Sequence, residues 1–153
     1  MPFSIGLTGS FGSGCTYLAK QFIEPLGYRY YSLSDILKDL YRETTGSEPN
    51  REVLQDFGNE LRKGHGPDYL GKLLFEKIGQ DGKPTKIIID SIRNPHEISC
   101  LRRTLPDFYL IGIFASRDTR AIFAPTKSLK LAFIKFIISN PILCPRLNKF
   151  YRK

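Results

Sequence analysis

An apolar stretch, a run of closely spaced glycines and a helical pattern follow one another at the start of the chain, and that succession constrains the fold most. Phe3-Ser4-Ile5-Gly6-Leu7-Thr8 places apolar side chains at alternate positions, the period of a strand. Gly9-Ser10-Phe11-Gly12-Ser13-Gly14-Cys15-Thr16 is a loop, after which Leu18, Ala19, Phe22 and Ile23 fall at helical spacing until Pro25 and Gly27 stop the helix. The loop fits G-x-x-x-x-G-K-[ST] everywhere except at the lysine, where Cys15 stands. Glycines let backbone N–H groups converge on phosphate oxygens, and a following helix adds a favourable dipole. Gly9, Gly12, Ser13, Gly14, Cys15 and Thr16 are therefore the candidate nucleotide-binding residues, with the Thr16 hydroxyl placed for Mg²⁺. A neutral thiol cannot set a positive charge beside the β/γ-phosphates, and Lys20, four residues past Thr16, is expected to point elsewhere. Phosphate binding is expected to survive this departure, and fast phosphoryl transfer is not.

The rest of the first 120 residues alternates strand and helix. Tyr28 to Ser32 reads as a short strand, whose Tyr28, Tyr30 and Tyr31 suit strand packing better than base stacking. Ser34-Asp35 is expected to cap a helix carrying Ile36, Leu37, Leu40 and Tyr41. A second helix spans Arg51 to Lys63, and Gly64 to Pro67 ends it. Asp68 is expected to cap a third, with Leu70, Leu73, Leu74 and Ile78 on one face. Lys86-Ile87-Ile88-Ile89-Asp90 is a continuous β-branched run, as in a sheet covered on both faces. Pro95 to Leu105 is helical and Phe108 to Phe114 a buried strand. The pattern predicts an α/β domain with a mainly parallel sheet flanked by helices.

The formal net charge of +8 is unevenly spread. Residues 1–120 carry 16 Lys/Arg against 15 Asp/Glu, whereas 121–153 carry 7 Lys/Arg and no acid. The basicity belongs to the tail, so no nucleic-acid-binding face is expected in the domain. The tail reads either as one covering helix over about 127–139 with a ragged end, or as sequence read in a shifted frame. Leu129 to Leu143 is interrupted by Lys130, Lys135 and Pro141, which argues against a membrane span. Cys15, Cys100 and Cys144 have no C-x-x-C spacing, and His65 and His96 lie far apart, so neither a disulfide framework nor a zinc site is expected. With no basic leader before the first apolar run, a cytoplasmic protein is expected.

Ile5 to Gly14 resembles the opening of dephospho-CoA kinases and of the wider nucleoside monophosphate kinase family. Ile89-Asp90-Ser91-Ile92-Arg93-Asn94-Pro95-His96-Glu97-Ile98 is similar to the DGIRNPxEV segment of adenylate-kinase-related P-loop proteins. Leu61-Arg62-Lys63-Gly64-His65-Gly66-Pro67-Asp68 resembles their LRxxxGPD stretch. The same segments occur in kinase-like domains fused ahead of deoxycytidylate deaminases, whose zinc elements are not found in this sequence. The resemblance covers about residues 3–120.

What the resemblance implies is a P-loop fold of the nucleoside monophosphate kinase type using ATP or another nucleotide with Mg²⁺. Asp90 would be the Mg²⁺-linked or substrate-facing acid, sharing the metal with Thr16, and Arg93 would reach the acceptor phosphate as a fork. Ser34, Asp35 and Arg62 would join Arg93 in the acceptor site. Arg117 and Arg120 begin something like a lid, but neither a complete lid nor the family's last strand is readable. Two functions stay open: phosphoryl transfer to a small nucleotide, or a catalytically weak nucleotide-sensing or partner-docking domain. An exposed outer edge on the Phe108–Phe114 strand would invite a homodimer.

Overall fold

A computed structural model describes residues 3–105, 107–117 and 120, together with the strand Lys135–Ile138. The glycine loop joins β1 (Ser4–Gly9) to a short helix, α1 (Cys15–Leu18), which runs on through a π-turn at Ala19–Ile23 and a 3-10 turn at Glu24–Leu26. Then come β2 (Arg29–Ser32), α2 (Leu33–Thr45), α3 (Arg51–His65), α4 (Tyr69–Gln80), β3 (Ile87–Asp90), α5 (Pro95–Thr104), β4 (Phe108–Phe114) and β5 (Lys135–Ile138). The sheet order is β2-β3-β1-β4-β5. Its first four strands are parallel, with Ile5 of β1 opposite Ile88 on one side and Tyr109 on the other. This is the α/β arrangement of a mainly parallel sheet flanked by helices that the sequence predicts.

The unbroken isoleucine run in β3 is explained by the two faces it serves. Ile87 and Ile89 join Leu33, Leu37, Leu70, Leu74, Ile78 and Leu101, a core built from α2, α4 and α5. Ile88 points the other way, into a smaller core with Ile5, Leu7, Leu18, Ala19 and Ile113. Successive strand residues alternate faces, so a strand covered on both sides has no polar period to show. Fully burying each of these aliphatic side chains contributes roughly 1.5–3 kcal/mol. Gly6 sits where β1 meets its neighbours: a Cβ there would stand 2.5 Å from the Phe108 ring and 2.8 Å from Ile92 Cδ1.

Several local expectations are corrected. The cap of α2 is Ser32 rather than Ser34-Asp35: its Oγ accepts from the Asp35 N–H at 3.3 Å. The helix starts earlier than its polar residues suggest because Leu33 is buried in the core. Asp68 occupies the cap position of α4, but makes no side-chain cap hydrogen bond; its carboxylate turns instead to Lys72 at 3.0 Å and Arg103 at 3.8 Å. Phe22 is 57% exposed, because the π-turn rotates it away from the 3.6-residue period that pointed it inward. Most of β4 is half-buried, with Ile113 alone in the strand fully enclosed.

The expected helix over about 127–139 is also corrected where the structure describes it. Lys135–Ile138 is a strand, antiparallel to β4, with Ile111 opposite Ile138 and Phe114 opposite Lys135. Aromatic and β-branched residues favour a pleat, and an open sheet edge offers unpaired N–H and C=O groups to complete it. The β4 edge on which dimerisation was expected is therefore paired within the chain over these residues. The rest of 121–153, including Cys144, lies outside the described residues. Among the described residues, no helix is long and apolar enough to cross a membrane.

Replacing Gly6 by Ala should destabilise the domain by about 1–3 kcal/mol through overpacking against Phe108 and Ile92. Urea unfolding measures it, as a lower midpoint with an unchanged slope.

Candidate functional site

The loop between β1 and α1 takes its shape from two left-handed glycines, Gly12 at φ 77° and Gly14 at φ 91°. Gly12 has a second reason to lack a side chain: the Arg120 carbonyl oxygen lies 3.1 Å from where its Cβ would be. Between the two glycines, the Ser13 N–H donates to the Ser10 carbonyl at 3.0 Å, closing the turn and burying Ser13. The loop walls a cavity of about 340 Å³, completed at the end of β3 by Asp90, Ser91 and Arg93. All six loop residues expected from the sequence, Gly9, Gly12, Ser13, Gly14, Cys15 and Thr16, line it.

Asp90 is the electrostatic centre of that cavity. It is only 2% exposed, and its Oδ2 accepts from Thr16 Oγ1 at 2.5 Å and from the Tyr30 hydroxyl at 3.2 Å. Its Oδ1 accepts from the Ser91 N–H at 2.6 Å. Among the described residues, no lysine or arginine forms an ion pair with it. Burial first, and then the Asp90 charge, push the Tyr30 phenol well above its ordinary range, so Tyr30 remains a donor. Lys20 ends 5.0 Å above the Tyr30 ring and is not part of the cavity wall.

Cys15 opens α1 half-buried, with Sγ 3.4 Å from Ser13 Oγ. Burial pushes its thiol up, the Ser13 hydrogen bond opposes this in part, and the Asp90 charge adds a lesser rise. The side chain at the lysine position is thus a neutral thiol at neutral pH, not a thiolate.

A second cavity, about 120 Å³, opens beside the first and shares Ser91 and Arg93 with it. Arg51, Arg62 and Ser34 also line it, against a wall of leucines. Arg62 is held rather than free: its Nε and Nη2 donate to Glu97 Oε1 at 3.1 and 2.8 Å. Glu97 is completely buried, and its Oε2 accepts from the Asn94 N–H at 3.2 Å and the Arg93 N–H at 3.5 Å. Asp35 is exposed, pairs with Lys38 at 3.0 Å and lines neither cavity. Sequence reasoning missed Arg51, Glu97 and Tyr30. Glu97 carried a readable signal, three residues after the cap Asn94 in a capping box; Arg51 and Tyr30 carried none.

No family model matches the sequence. Among curated proteins, the UPF0200 protein of Methanothermobacter thermautotrophicus is 29% identical over 116 residues, 76% of this chain and 57% of the relative. The UPF0200 protein of Pyrobaculum aerophilum is 32% identical over 117 residues, 76% of this chain and 61% of the relative. The chain spans about three fifths of the length of these relatives. Among solved structures, the shikimate kinase of Bacteroides thetaiotaomicron aligns with a TM-score of 0.48 at 17% identity, covering 97% of this chain and 74% of that one.

The raised Cys15 thiol makes a testable statement. A smaller thiolate fraction at any given pH means slower alkylation, so Cys15 should react with iodoacetamide more slowly than free cysteine. Its rate should still climb above the pH at which a free thiol levels off, as peptide mass mapping after timed labelling would record. Removing Glu97 tests the smaller cavity: Glu97→Ala strands the Arg62 guanidinium and should cost about 3–5 kcal/mol in denaturant unfolding.

Proposed function

We propose that this chain binds a nucleoside triphosphate such as ATP, with Mg²⁺, at the Gly9–Thr16 loop, and a small phosphorylated nucleotide in the arginine-lined cavity. The observation that carries the reading is the junction of the two cavities at Arg93: a glycine-walled pocket on one side meets an arginine-walled pocket on the other. That is the layout a donor and an acceptor phosphate need to meet in line. The Arg93 fork would hold the acceptor phosphate, with Arg62 and Ser34 beside it; Asp35, exposed and paired with Lys38, takes no part in that site.

The donor set fits Mg²⁺. Thr16 and Asp90 bring a hydroxyl and a carboxylate together, hard oxygens of the kind this ion takes, one or two at a time, alongside phosphate oxygens. When bound, the ion would neutralise phosphate charge. The Tyr30 hydroxyl and the Ser91 N–H would keep the Asp90 carboxylate oriented, and the loop N–H groups would hold the phosphates. Cys15 brings no positive charge to the transferring phosphoryl group, so binding is retained and transfer is slow. The neutral thiol favours the second reading, a nucleotide-sensing or docking domain related to those fused ahead of deaminases.

Thermal unfolding with mono-, di- and triphosphates, with and without Mg²⁺, tests the binding. A ligand at 100 times its Kd stabilises by about 2.7 kcal/mol. Triphosphate with Mg²⁺ should raise Tm most, and Asp90→Asn should abolish the Mg²⁺ dependence. Cys15→Lys should tighten triphosphate binding by about tenfold, the size of one charge-assisted hydrogen bond. A Tm unmoved by every nucleotide overturns the reading; robust transfer by the unaltered chain overturns its slow-catalysis part.

A further inference from the structure

We propose that Arg51 is a ligand-binding residue of the smaller cavity and that Phe11, at the tip of the glycine loop, positions it, so that each cavity senses the other's occupant. The proposal rests on the two-cavity reading given above. Phe11 is 51% exposed on a loop whose other residues are small, and it joins neither core. The Arg51 guanidinium carbon lies 3.8 Å from the centroid of its ring, well inside the range of a cation–π contact. Arg51 begins α3 and forms no ion pair among the described residues. Phe11 walls the larger cavity and Arg51 the smaller, so one contact spans both.

The chemistry assigns the roles. Of the three arginines in the smaller cavity, Arg62 has two donors committed to Glu97, and Arg93 stands at the shared boundary. Arg51 differs from both: stacking uses the face of its guanidinium and leaves the in-plane N–H donors for an oxyanion. The ring also restricts a long side chain that would otherwise lose rotamer freedom on binding an anion. Phe11 moves with the loop. A triphosphate that fixes the loop therefore fixes Arg51, and linkage requires the reverse effect to be equal.

The test uses the full chain loaded with Mg²⁺ and a non-hydrolysable ATP analogue, titrated calorimetrically with a panel of nucleoside monophosphates. At least one monophosphate should bind. Arg51→Gln should weaken it by about tenfold or more, while Arg51→Lys retains part of the affinity. Phe11→Leu, a change outside the smaller cavity, should weaken the same monophosphate severalfold. The double variant should be no worse than Arg51→Gln alone, because Phe11 acts through Arg51. Unchanged monophosphate affinity in Phe11→Leu, losses that multiply in the double variant, or a loaded chain that binds none of the panel would each overturn the proposal. Failure of the analogue itself to bind would instead remove the two-cavity reading beneath it.

Discussion

One buried carboxylate holds the functional half of this molecule together. Glu97 has no exposure, and a bare charge there would cost several kcal/mol to desolvate. Four N–H donors compensate it: two from the Arg62 guanidinium on α3, and the backbone groups of Arg93 and Asn94 at the start of α5. The same group therefore caps one helix, ties a second to it and fixes the backbone from which Arg93 projects. An apolar residue at this position would pack well but orient neither arginine.

Asp90 does the corresponding work at the other end of the same segment. Between β3 and α5 lie Ser91 to Asn94, and the middle of that stretch is fastened as well. Ile92 is fully buried, and its carbonyl accepts from Thr8 Oγ1 of β1 at 2.8 Å. Arg93 is thus the exposed residue of a short connection held at both ends and at its centre, while its side chain reaches the junction of two cavities. Preorganisation of this kind removes ordering cost from ligand binding, which matters where the contacts are few and charged.

The parts of this arrangement that were legible in the sequence are those set by a local rule. Glycines at fixed intervals after an apolar run announced the loop, and the isoleucines of 87–89 announced a strand covered on both faces. What escaped was decided by tertiary contacts. Ser34-Asp35 looks like a cap until Leu33 is seen to need burial, and Asp68 looks like one until Lys72 and Arg103 draw its carboxylate away. Phe22 satisfied a helical period that the π-turn does not keep. Arg51 was read only as part of a helix, because nothing local shows that α3 begins against the ring of Phe11. The strand at 135–138 was read as helix because its partner is an edge some twenty residues earlier.

The distribution of positive charge decides how far the geometry can go as a catalyst. A phosphoryl group in flight spreads its negative charge over three oxygens, and rate enhancement requires groups that stabilise that state more than the bound nucleotide. Around the glycine loop, Cys15 is neutral and Lys20 is engaged on Tyr30, so the larger cavity offers backbone N–H groups and the Thr16–Asp90 oxygens. The guanidinium groups of Arg51, Arg62 and Arg93 gather at the smaller cavity instead. Among the described residues, Arg93 is the one lysine or arginine that lines both cavities. On the function proposed above, binding would draw on the whole arrangement, whereas transfer would depend on that one side chain.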